Sequence, residues 1–439
     1  MLNQEITVII ESLEERGYGV AKYEGKTIHI LNSLPGEEII ARVYKKKKKV
    51  YFAEVIKFLK KADYRIEAKE DHYLSCSPWQ IIPVKEENNF KKELIKKFYL
   101  ENADFSLPQF LIASNKVDYA YRNKNEFSLY GHADEHITLA FHKRESGFHK
   151  DPADGCLLAP DTVNQCAKKI IDYINTLNIK ARQLKGLLFR YSFLENKVVA
   201  CIFAKDTLVN ISESELNKLL DNQLKGILFI HSDFLSPAFV ETEVKASAGD
   251  TEIVEKVLNM EFQYAYNGFF QINPEVFSKA AADISNYIKG LPNAKKLNLS
   301  DLYAGVGTIG ILCAPYVKHV TGVEITPKTK YYSEINAERN KVKNFSFYEC
   351  MAEKDGLQFI NTDILLIDPP RAGLHQKVIN QILESLPEHI IYMSCNPKTQ
   401  AENFTLLKDK YEIKYFKGYN FYPHTPHVES LCILQKKHD

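Results

Sequence analysis

The pattern of apolar and polar residues changes twice along the chain. Up to residue 60, five short apolar runs with strand-like alternation are separated by turn residues such as Gly17 and Pro35. This spacing predicts a small OB-like β-barrel. Residues 61–273 mix helical spacing, as in 162–177, with strand-like runs, which predicts a separate α+β domain.

From residue 274 onward, strand-like runs alternate regularly with helical patterns. A helix over 275–290 precedes the first strand. The predicted strands cover 296–304, 319–325, 345–350, 363–368, 389–395 and 415–421. Such alternation predicts a mostly parallel, doubly wound sheet, with its ligand beyond the carboxyl ends of the strands. The chain is therefore expected to divide into domains at 1–60, 61–273 and 274–439.

Composition limits the classes of protein to which the chain can belong. A chain of 439 residues is too long to fold around one hydrophobic core of ordinary size. Its content of 45% apolar and 26% charged residues is typical of soluble globular proteins. No apolar stretch is long enough to cross a bilayer, and Glu5 and Glu11 within the first apolar segment argue against a signal peptide. A cytoplasmic protein is expected, with no membrane partner.

The net charge of the chain does not indicate a nucleic-acid partner, but one local cluster of charges does. The net charge is only +1, but Lys45–Lys49 form a run of five lysines between Tyr44 and Tyr51. The run is either a solvated hairpin tip or an edge that contacts RNA phosphates, with aromatic rings available for stacking. The OB-like pattern around it favours RNA.

A glycine turn follows the first strand of the third segment, in Asp301–Thr308 (DLYAGVGT). It has neither the third glycine of dinucleotide sites nor the Lys-Ser/Thr of phosphate loops. Glu324 ends the next strand, where an acid can hold ribose hydroxyls. A structural tight turn is the alternative. The combination favours a nucleoside ligand without a pyrophosphate, for which S-adenosylmethionine is the obvious candidate.

The sequence Asp368-Pro-Pro-Arg371 directly follows another strand. Because two prolines restrict the backbone there, Asp368 is expected at the ligand edge of the sheet. A plain strand-ending turn is the alternative. Methylases of exocyclic amines have an aromatic residue where Arg371 stands, which argues against amine chemistry.

Cys395 and Glu429 are the candidate catalytic residues. Most isolated cysteines are small buried hydrophobes, and this is expected of Cys166, Cys201, Cys313 and Cys432. Cys395 instead lies in an SCNP turn at the carboxyl end of a strand, and cysteine is a natural nucleophile for a pyrimidine ring.

Glu429 ends the segment PHTPHVE, which also contains His424 and His427. The two imidazoles and the carboxylate are one possible metal site. However, the histidines lie in a proline-rich turn rather than on one helix face, so a carboxylate base is favoured and no metal ligands are expected.

Taken together, DLYAGVG, GVE, DPPRAG, SCNP and PHTPHVE resemble the RNA uracil-5-methyltransferase family over nearly the whole chain. The N-terminal RGYGVAKYEGK and LPGEEI look like the TRAM module of that family, an OB-type RNA binder. Tyr121–Lys124 and Phe270–Asn273 also match family signatures. The resemblance implies a Rossmann-like catalytic domain with Cys395 as nucleophile and Glu429 as general base. The resemblance also implies that S-adenosylmethionine is bound by Gln271, Tyr303, Gly305, Glu324 and Asp368.

The resemblance also bears on the substrate. Bacterial members with the TRAM module mostly act on large-subunit ribosomal RNA, whereas tRNA-directed bacterial relatives generally lack it. It therefore implies 23S rRNA as the RNA partner, and no DNA partner is expected. The alternatives are a tRNA enzyme, a non-catalytic RNA-binding factor on the same scaffold, and a cytosine-5-methyltransferase, whose usual Pro-Cys or Thr-Cys signatures are absent.

One departure from the family concerns iron. Many members hold a [4Fe–4S] cluster with four cysteines, three of them in a CGGC-centred stretch. Here Trp79 occupies the position of the second cysteine of CGGC, and Glu70 occupies the position of the leading cysteine. Cys76 and Cys156 remain, and two thiolates cannot replace four. No cluster is expected, and packing by Trp79 is expected to replace its structural role.

Overall fold

The computed structural model describes residues 1–131, 136–144 and 149–438. These residues form sheets of six, seven and eight strands and one two-stranded sheet. The eight-stranded sheet carries most of the chemistry-bearing motifs, and the other two large sheets lie earlier in the chain. Among the described helices, none combines the length and apolar character that a membrane crossing requires.

The six-stranded sheet occupies the N-terminal segment and fits the expected OB-like module. Its strands are β1 (Glu5–Ile9), β2 (Ser12–Leu13), β3 (Gly19–Tyr23), β4 (Lys26–Leu31), β5 (Glu38–Lys47) and β6 (Val50–Lys60), in the order β1-β5-β6-β4-β3-β2. Alternate residues such as Ile6 and Val8 point into its core. The first predicted strand is divided in two, because the backbone N–H of Ile10 donates to Glu37 and that of Glu11 donates to Val20.

The lysine run forms the tip of the β5–β6 hairpin. β5 ends at Lys47, and Lys48 adopts a left-handed φ of 55° in the turn. The side chains of residues 46–49 are exposed, and the ammonium group of Lys46 lies 5.2 Å from the centre of the Tyr51 ring. The lysine run thus lies at an exposed hairpin tip. Contact between these lysines and RNA stays a prediction.

The seven-stranded sheet lies in the central segment, with the order β10-β9-β8-β11-β12-β13-β14. Its strands are β8 (Lys124–Tyr130), β9 (Thr138–His142), β10 (Lys150–Ala153), β11 (Leu184–Ser192), β12 (Lys197–Ala204), β13 (Leu224–His231) and β14 (Glu243–Gly249). The central segment also contains α1 (Tyr73–Cys76), α2 (Val84–Ala103), α3 (Asp161–Asn175), α4 (Glu213–Asn217) and the hairpin β15 (Glu252–Val257)–β16 (Met260–Ala265). In α3 the buried Val163, Cys166, Ile170 and Ile174 recur every three or four residues, as helix packing requires.

The eight-stranded sheet has the order β19-β18-β17-β20-β21-β23-β22-β7 and confirms the Rossmann-like expectation. Its strands are β7 (Ile112–Ala113), β17 (Asn298–Leu302), β18 (His319–Glu324), β19 (Phe345–Glu349), β20 (Ile364–Ile367), β21 (His389–Ser394), β22 (Tyr411–Tyr419) and β23 (Glu429–Lys436). The accompanying helices are α5 (Pro274–Lys289), α6 (Thr308–Cys313), α7 (Thr329–Arg339), α8 (Gln376–Ser385) and α9 (Pro397–Leu407). The strands from β19 to β21 are parallel, whereas β23 runs antiparallel to β21.

Strand β23 has no counterpart in the sequence prediction. It lies between β21 and β22, so residues 429–434 are all buried. A strand covered on both faces loses the alternation by which strands are recognised.

Residues 84–113 of the central segment pack against the eight-stranded sheet. The Tyr99 hydroxyl donates to Gln400 Oε1 at 2.9 Å, and β7 pairs with β22. The domain boundaries at 60 and 273 stay a prediction.

Candidate active site

The turn after β17 opens the backbone towards a cavity. Tyr303, Gly305 and Gly307 all have positive φ, of 64°, 54° and 79°. A Cβ on Gly305 would have no atom within 4 Å, whereas one on Gly307 would press on Phe345 at 3.0 Å. Gly305 therefore faces open space, and Gly307 allows α6 to pack closely against its neighbours.

Glu324, the last residue of β18, holds two strand-end turns together. Its Oε1 accepts hydrogen bonds from the backbone N–H groups of Ile325 and Thr326 at 2.8 and 2.9 Å. Its Oε2 accepts a longer bond from the N–H of Gly305, at 3.3 Å. The carboxylate is thus fixed beside the glycine turn, at the carboxyl edge of the sheet.

Asp368 follows β20 and lies next to Gln271. The amide of Gln271 donates to Asp368 Oδ2 at 3.2 Å. Burial raises the pKa of Asp368 to about 6, against the opposing effect of this hydrogen bond. The carboxyl group therefore lies in a site with little water.

Cys395 is half-buried at the carboxyl end of β21. Its turn is tied to the Asp-Pro-Pro-Arg loop, because the Asn396 side chain donates to the carbonyl of Arg371 at 3.0 Å. Burial, then the charges of Glu429 and Asp368, raises the pKa of Cys395 to about 11, and the Arg371 guanidinium acts in the opposite direction.

Glu429 is brought to Cys395 by strand register. β23 pairs antiparallel with β21 so that Ser430 lies opposite Ser394, and the same register continued by one residue brings Glu429 opposite Cys395 at the strand ends. The Glu429 side chain is buried, and its Oε2 has no hydrogen-bond partner among the described residues. Burial and the Asp368 charge raise the pKa of Glu429, while Arg371 lowers it. An unpartnered buried carboxylate oxygen next to a thiol is suited to accept a proton from a ligand.

All the predicted site residues line one cavity of about 560 Å³. They are Gln271, Tyr303, Gly305, Glu324, Asp368, Cys395 and Glu429. A second cavity of about 430 Å³ shares only Arg371 and Cys395 with the first, and it also includes Arg16 and His427. Cys395 therefore stands where two cavities meet, one over the strand ends and one towards the N-terminal sheet.

The sequence prediction did not name several residues that line these cavities, and three of them have side chains suited to bind RNA or a cofactor. Phe269 and Tyr422 line the first cavity, and Arg16 lines the second. Phe269 is 67% exposed, whereas its neighbour Phe270 is buried. The sequence does not show which of two adjacent phenylalanines is exposed, so Phe269 was not predicted. Arg16 begins the RGYGVAKYEGK segment, but nothing in the sequence indicates that the turn between β2 and β3 reaches Cys395.

The two histidines of the terminal segment take no part in a described metal site. His424 stacks on Tyr119 with ring centres 4.2 Å apart. Burial lowers the pKa of both His424 and His427 to about 4, so both are neutral at pH 7. Within the described residues, the donor group with metal-compatible spacing contains neither of them.

A buried ion pair on α2 holds the loop that leads to Glu429. The Lys91 ammonium donates to Glu87 Oε1 at 2.5 Å, to Asn420 Oδ1 at 2.7 Å and to the carbonyl of Tyr422 at 3.2 Å. Glu87 Oε2 accepts the backbone N–H of His424 at 2.8 Å. Both charged side chains are fully buried. The loop thus has its polar groups satisfied by one turn of α2.

Replacing Lys91 by Met is expected to lower the free energy of unfolding by about 3–5 kcal/mol, because Glu87 loses its buried partner. Urea denaturation followed by circular dichroism measures the change. The double variant Glu87→Gln/Lys91→Met removes both charges and should be closer to wild type than the single variant. A single variant within about 1 kcal/mol of wild type would contradict the assigned role.

Comparison with known proteins agrees with this geometry. Residues 85–437 match the family model described as tRNA (Uracil-5-)-methyltransferase. A Clostridium tetani protein described as an uncharacterized RNA methyltransferase is 29% identical over 99% of this chain and 98% of its own. A protein of Bacteroides thetaiotaomicron with the same description is 28% identical over 95% of this chain and 99% of its own.

Among solved structures, the fold is similar to that of the Pyrococcus abyssi tRNA (uracil-54, C5)-methyltransferase in complex with S-adenosyl-L-homocysteine. The TM-score is 0.77 and the sequence identity 22%, over 98% of this chain and all of that one (100%).

Proposed function

The chain belongs to the tRNA (uracil-5-)-methyltransferase family, and from this we infer that it methylates C5 of an RNA uracil through a covalent bond to Cys395. The observation that supports this most directly is the shared cavity, in which the Cys395 thiol and the buried Glu429 carboxylate lie together at adjacent strand ends. A nucleophile and a base within one enclosed site are what covalent activation of a pyrimidine requires.

The residues of the first cavity fit S-adenosylmethionine. Gly305 leaves its backbone open to the cavity, and Glu324 lies at the end of the second strand, where an acid can accept ribose hydroxyls. Gln271, Tyr303 and Asp368 complete the wall. When bound, S-adenosylmethionine supplies an electrophilic methyl group. The same ligand class, as S-adenosyl-L-homocysteine, is bound by the Pyrococcus abyssi protein.

The first step activates the uracil ring. C5 of uracil is too weak a nucleophile to take a methyl group unaided, so the Cys395 thiolate adds to C6. A sulfur–carbon bond forms, and the electron pair of the C5–C6 double bond moves to an enolate at C4–C5. The Arg371 guanidinium, which favours the thiolate of Cys395, lies at the mouth of both cavities.

The second step restores the ring. After C5 has gained its methyl group, Glu429 removes the proton that C5 still carries. The electron pair of that C–H bond re-forms the C5–C6 double bond, and the sulfur–carbon bond breaks to release Cys395. The unpartnered Oε2 of Glu429 is the atom assigned to accept the proton.

The second cavity is the entry path assigned to the RNA. It reaches Cys395 from the side of the N-terminal sheet, where Arg16 contributes a cation to its wall. A uracil must leave its stack to enter, which costs a few kcal/mol. Phosphate contacts by Arg16 and by the lysines of the β5–β6 tip offset that cost.

We propose 23S rRNA as the substrate, on the basis of the N-terminal OB-like module. The second candidate is tRNA, which the printed names of the family and of the Pyrococcus abyssi enzyme favour. Mapping 5-methyluridine in rRNA and tRNA from a strain lacking this chain separates the two. Loss of a 23S rRNA site supports the first candidate, and loss of a tRNA site supports the second.

The rate of methyl transfer is expected to rise about tenfold per pH unit between about pH 7 and pH 9. Below the pKa of about 11, each unit of pH increases the thiolate fraction of Cys395 about tenfold. Single-turnover rates across this range measure the slope. Arg371→Gln should move the profile to higher pH, since Arg371 lowers the pKa of Cys395. A flat profile would contradict the thiolate mechanism.

Replacing Glu324 by Ala is expected to weaken S-adenosylmethionine binding about tenfold or more, because a carboxylate that accepts hydrogen bonds at the strand end is lost. Isothermal titration calorimetry measures the dissociation constant. Glu334→Ala, an exposed glutamate on α7, is the matched control. Equal affinity of the two variants would remove Glu324 from the cofactor site.

A further inference from the structure

Four side chains of metal-binding type converge where the segment before α2 meets the loop before α3. The donor atoms of Glu70, Cys76 and Cys156 all lie within 4.8 Å of one another. His72 lies beside them, with Nδ1 3.3 Å from Cys76 Sγ and Nε2 3.4 Å from Glu70 Oε1. Cys156 lies 80 residues after Cys76 in the chain, so the fold brings these groups together.

The site is enclosed and carries an imbalance of charge. The side chains of Glu70 and His72 are 8% and 9% exposed, and Cys156 is 5% exposed. Within the part of the chain that the structure describes, the ion-pair partner found for Glu70 is His72 alone. Hydrogen bonds from Leu157 and Gln80 stabilise this enclosed carboxylate, and a cation placed between it and the two thiols would stabilise it further.

We propose that Glu70, Cys76, Cys156 and His72 bind one zinc ion. Two thiolates, an imidazole and a carboxylate are donors that zinc accepts in tetrahedral sites, whereas calcium and magnesium prefer oxygen alone. Donor atoms around zinc lie about 3.3–3.8 Å apart, given bond lengths of about 2.0–2.3 Å. The distance from His72 Nδ1 to Cys76 Sγ, 3.3 Å, lies in this range, which assigns Nδ1 as the ligand atom of His72. Nε2, on the other side of the ring, faces Glu70 Oε1 at a hydrogen-bonding distance.

The same residues do not fit the iron–sulfur cluster that many family members carry. Such a cluster normally takes four thiolates. Here the region offers Cys76 and Cys156, while the Trp79 side chain is packed among Leu34, Ile81 and Ile82. The sequence-based expectation of no cluster rested on this shortage of cysteines, and the expectation of no metal ligands was argued only from His424, His427 and Glu429.

The zinc ion would fix a segment on which several parts of the fold converge. Glu70 already accepts the backbone N–H of Leu157 at 2.7 Å and the amide of Gln80 at 2.6 Å. Trp79, a few residues further on, donates from its ring to the carbonyl of Gly17 at 3.4 Å and from its backbone to that of His424 at 3.0 Å. The ion therefore has a structural role, away from the cavity of Cys395.

Metal content of the full chain tests the proposal directly. Protein purified without chelators is expected to contain about one zinc per chain by inductively coupled plasma mass spectrometry. Cys76→Ala/Cys156→Ala should lose it, and Cys166→Ala, a buried cysteine of the same sheet region, should retain it. Zinc contents equal in the double variant and the wild type would overturn the proposal, as would iron with acid-labile sulfide.

A second measurement uses the wild-type protein, so its result does not depend on whether a cysteine variant folds. Wild-type protein stripped by a chelator is titrated with Co²⁺ alone, and thiolate-to-cobalt charge-transfer absorption with a tetrahedral ligand-field spectrum is expected. Glu70→Gln keeps both thiolates and should retain the charge-transfer band while the ligand-field bands shift. The absence of a cobalt–thiolate band, or a Cys76–Cys156 disulfide in the purified protein by mass spectrometry, would reject the site.

Discussion

Replacing Cys395 by Ala is expected to lower the rate of methyl transfer at least about 1,000-fold, since the thiol that lies opposite Glu429 in the main cavity is removed. Transfer of a radiolabelled methyl group to RNA measures the loss. The dissociation constants for S-adenosylmethionine and RNA should change less than about threefold, because the thiol acts on the ring only after both have bound.

The control for this variant is Cys201→Ala, which removes a fully buried thiol of the central sheet. Its methyl-transfer rate should stay close to that of the wild type once differences in folded fraction are corrected. Substantial turnover by Cys395→Ala would show that no covalent bond to this residue is needed, and the proposed route would have to be abandoned.

Glu429→Gln is expected to arrest the reaction after the methyl group has been transferred. Glutamine keeps the size of the side chain but cannot take the C5 proton, so the bond between Cys395 and C6 persists. The release step should slow by about 10²–10⁴-fold. A protein–RNA band that survives a denaturing gel is the expected result, and it should contain the transferred methyl group.

The double variant Cys395→Ala/Glu429→Gln distinguishes this adduct from other crosslinks. It should give no denaturant-resistant band, because the sulfur that forms the bond is absent. If Glu429→Gln turned over at the wild-type rate with no accumulated adduct, another group would have to act as the base. Asp368 and Tyr422, which line the same cavity, are the alternatives for a proton acceptor.

The site residues that follow parallel strands were predictable from sequence. Glu324, Asp368 and Cys395 each end a strand of the predicted doubly wound sheet, and the carboxyl ends of parallel strands share one edge. That local rule is enough to place them along one cavity. The glycine turn is recognised in the same way, from its position between a strand and a helix.

The remaining features depend on contacts between distant parts of the chain. Arg16 reaches the second cavity from another sheet, and Trp79 joins Gly17 to the terminal loop through hydrogen bonds that no spacing reveals. The Glu87–Lys91 pair reads in sequence as an ordinary surface pair on a helix, yet both side chains are fully buried. Residue type and periodicity do not predict these long-range contacts, because the contacts form only when the sheets pack against one another.

The placement of β23 next to β21 has a consequence for how the enzyme can change over evolution. The spacing of thiol and carboxylate is set by a ladder of main-chain hydrogen bonds in the sheet interior, where Ser394 faces Ser430. The surfaces assigned to RNA lie outside that ladder, in the β5–β6 tip and around Arg16. Recognition surfaces can therefore be exchanged between substrates while the reacting pair keeps its separation.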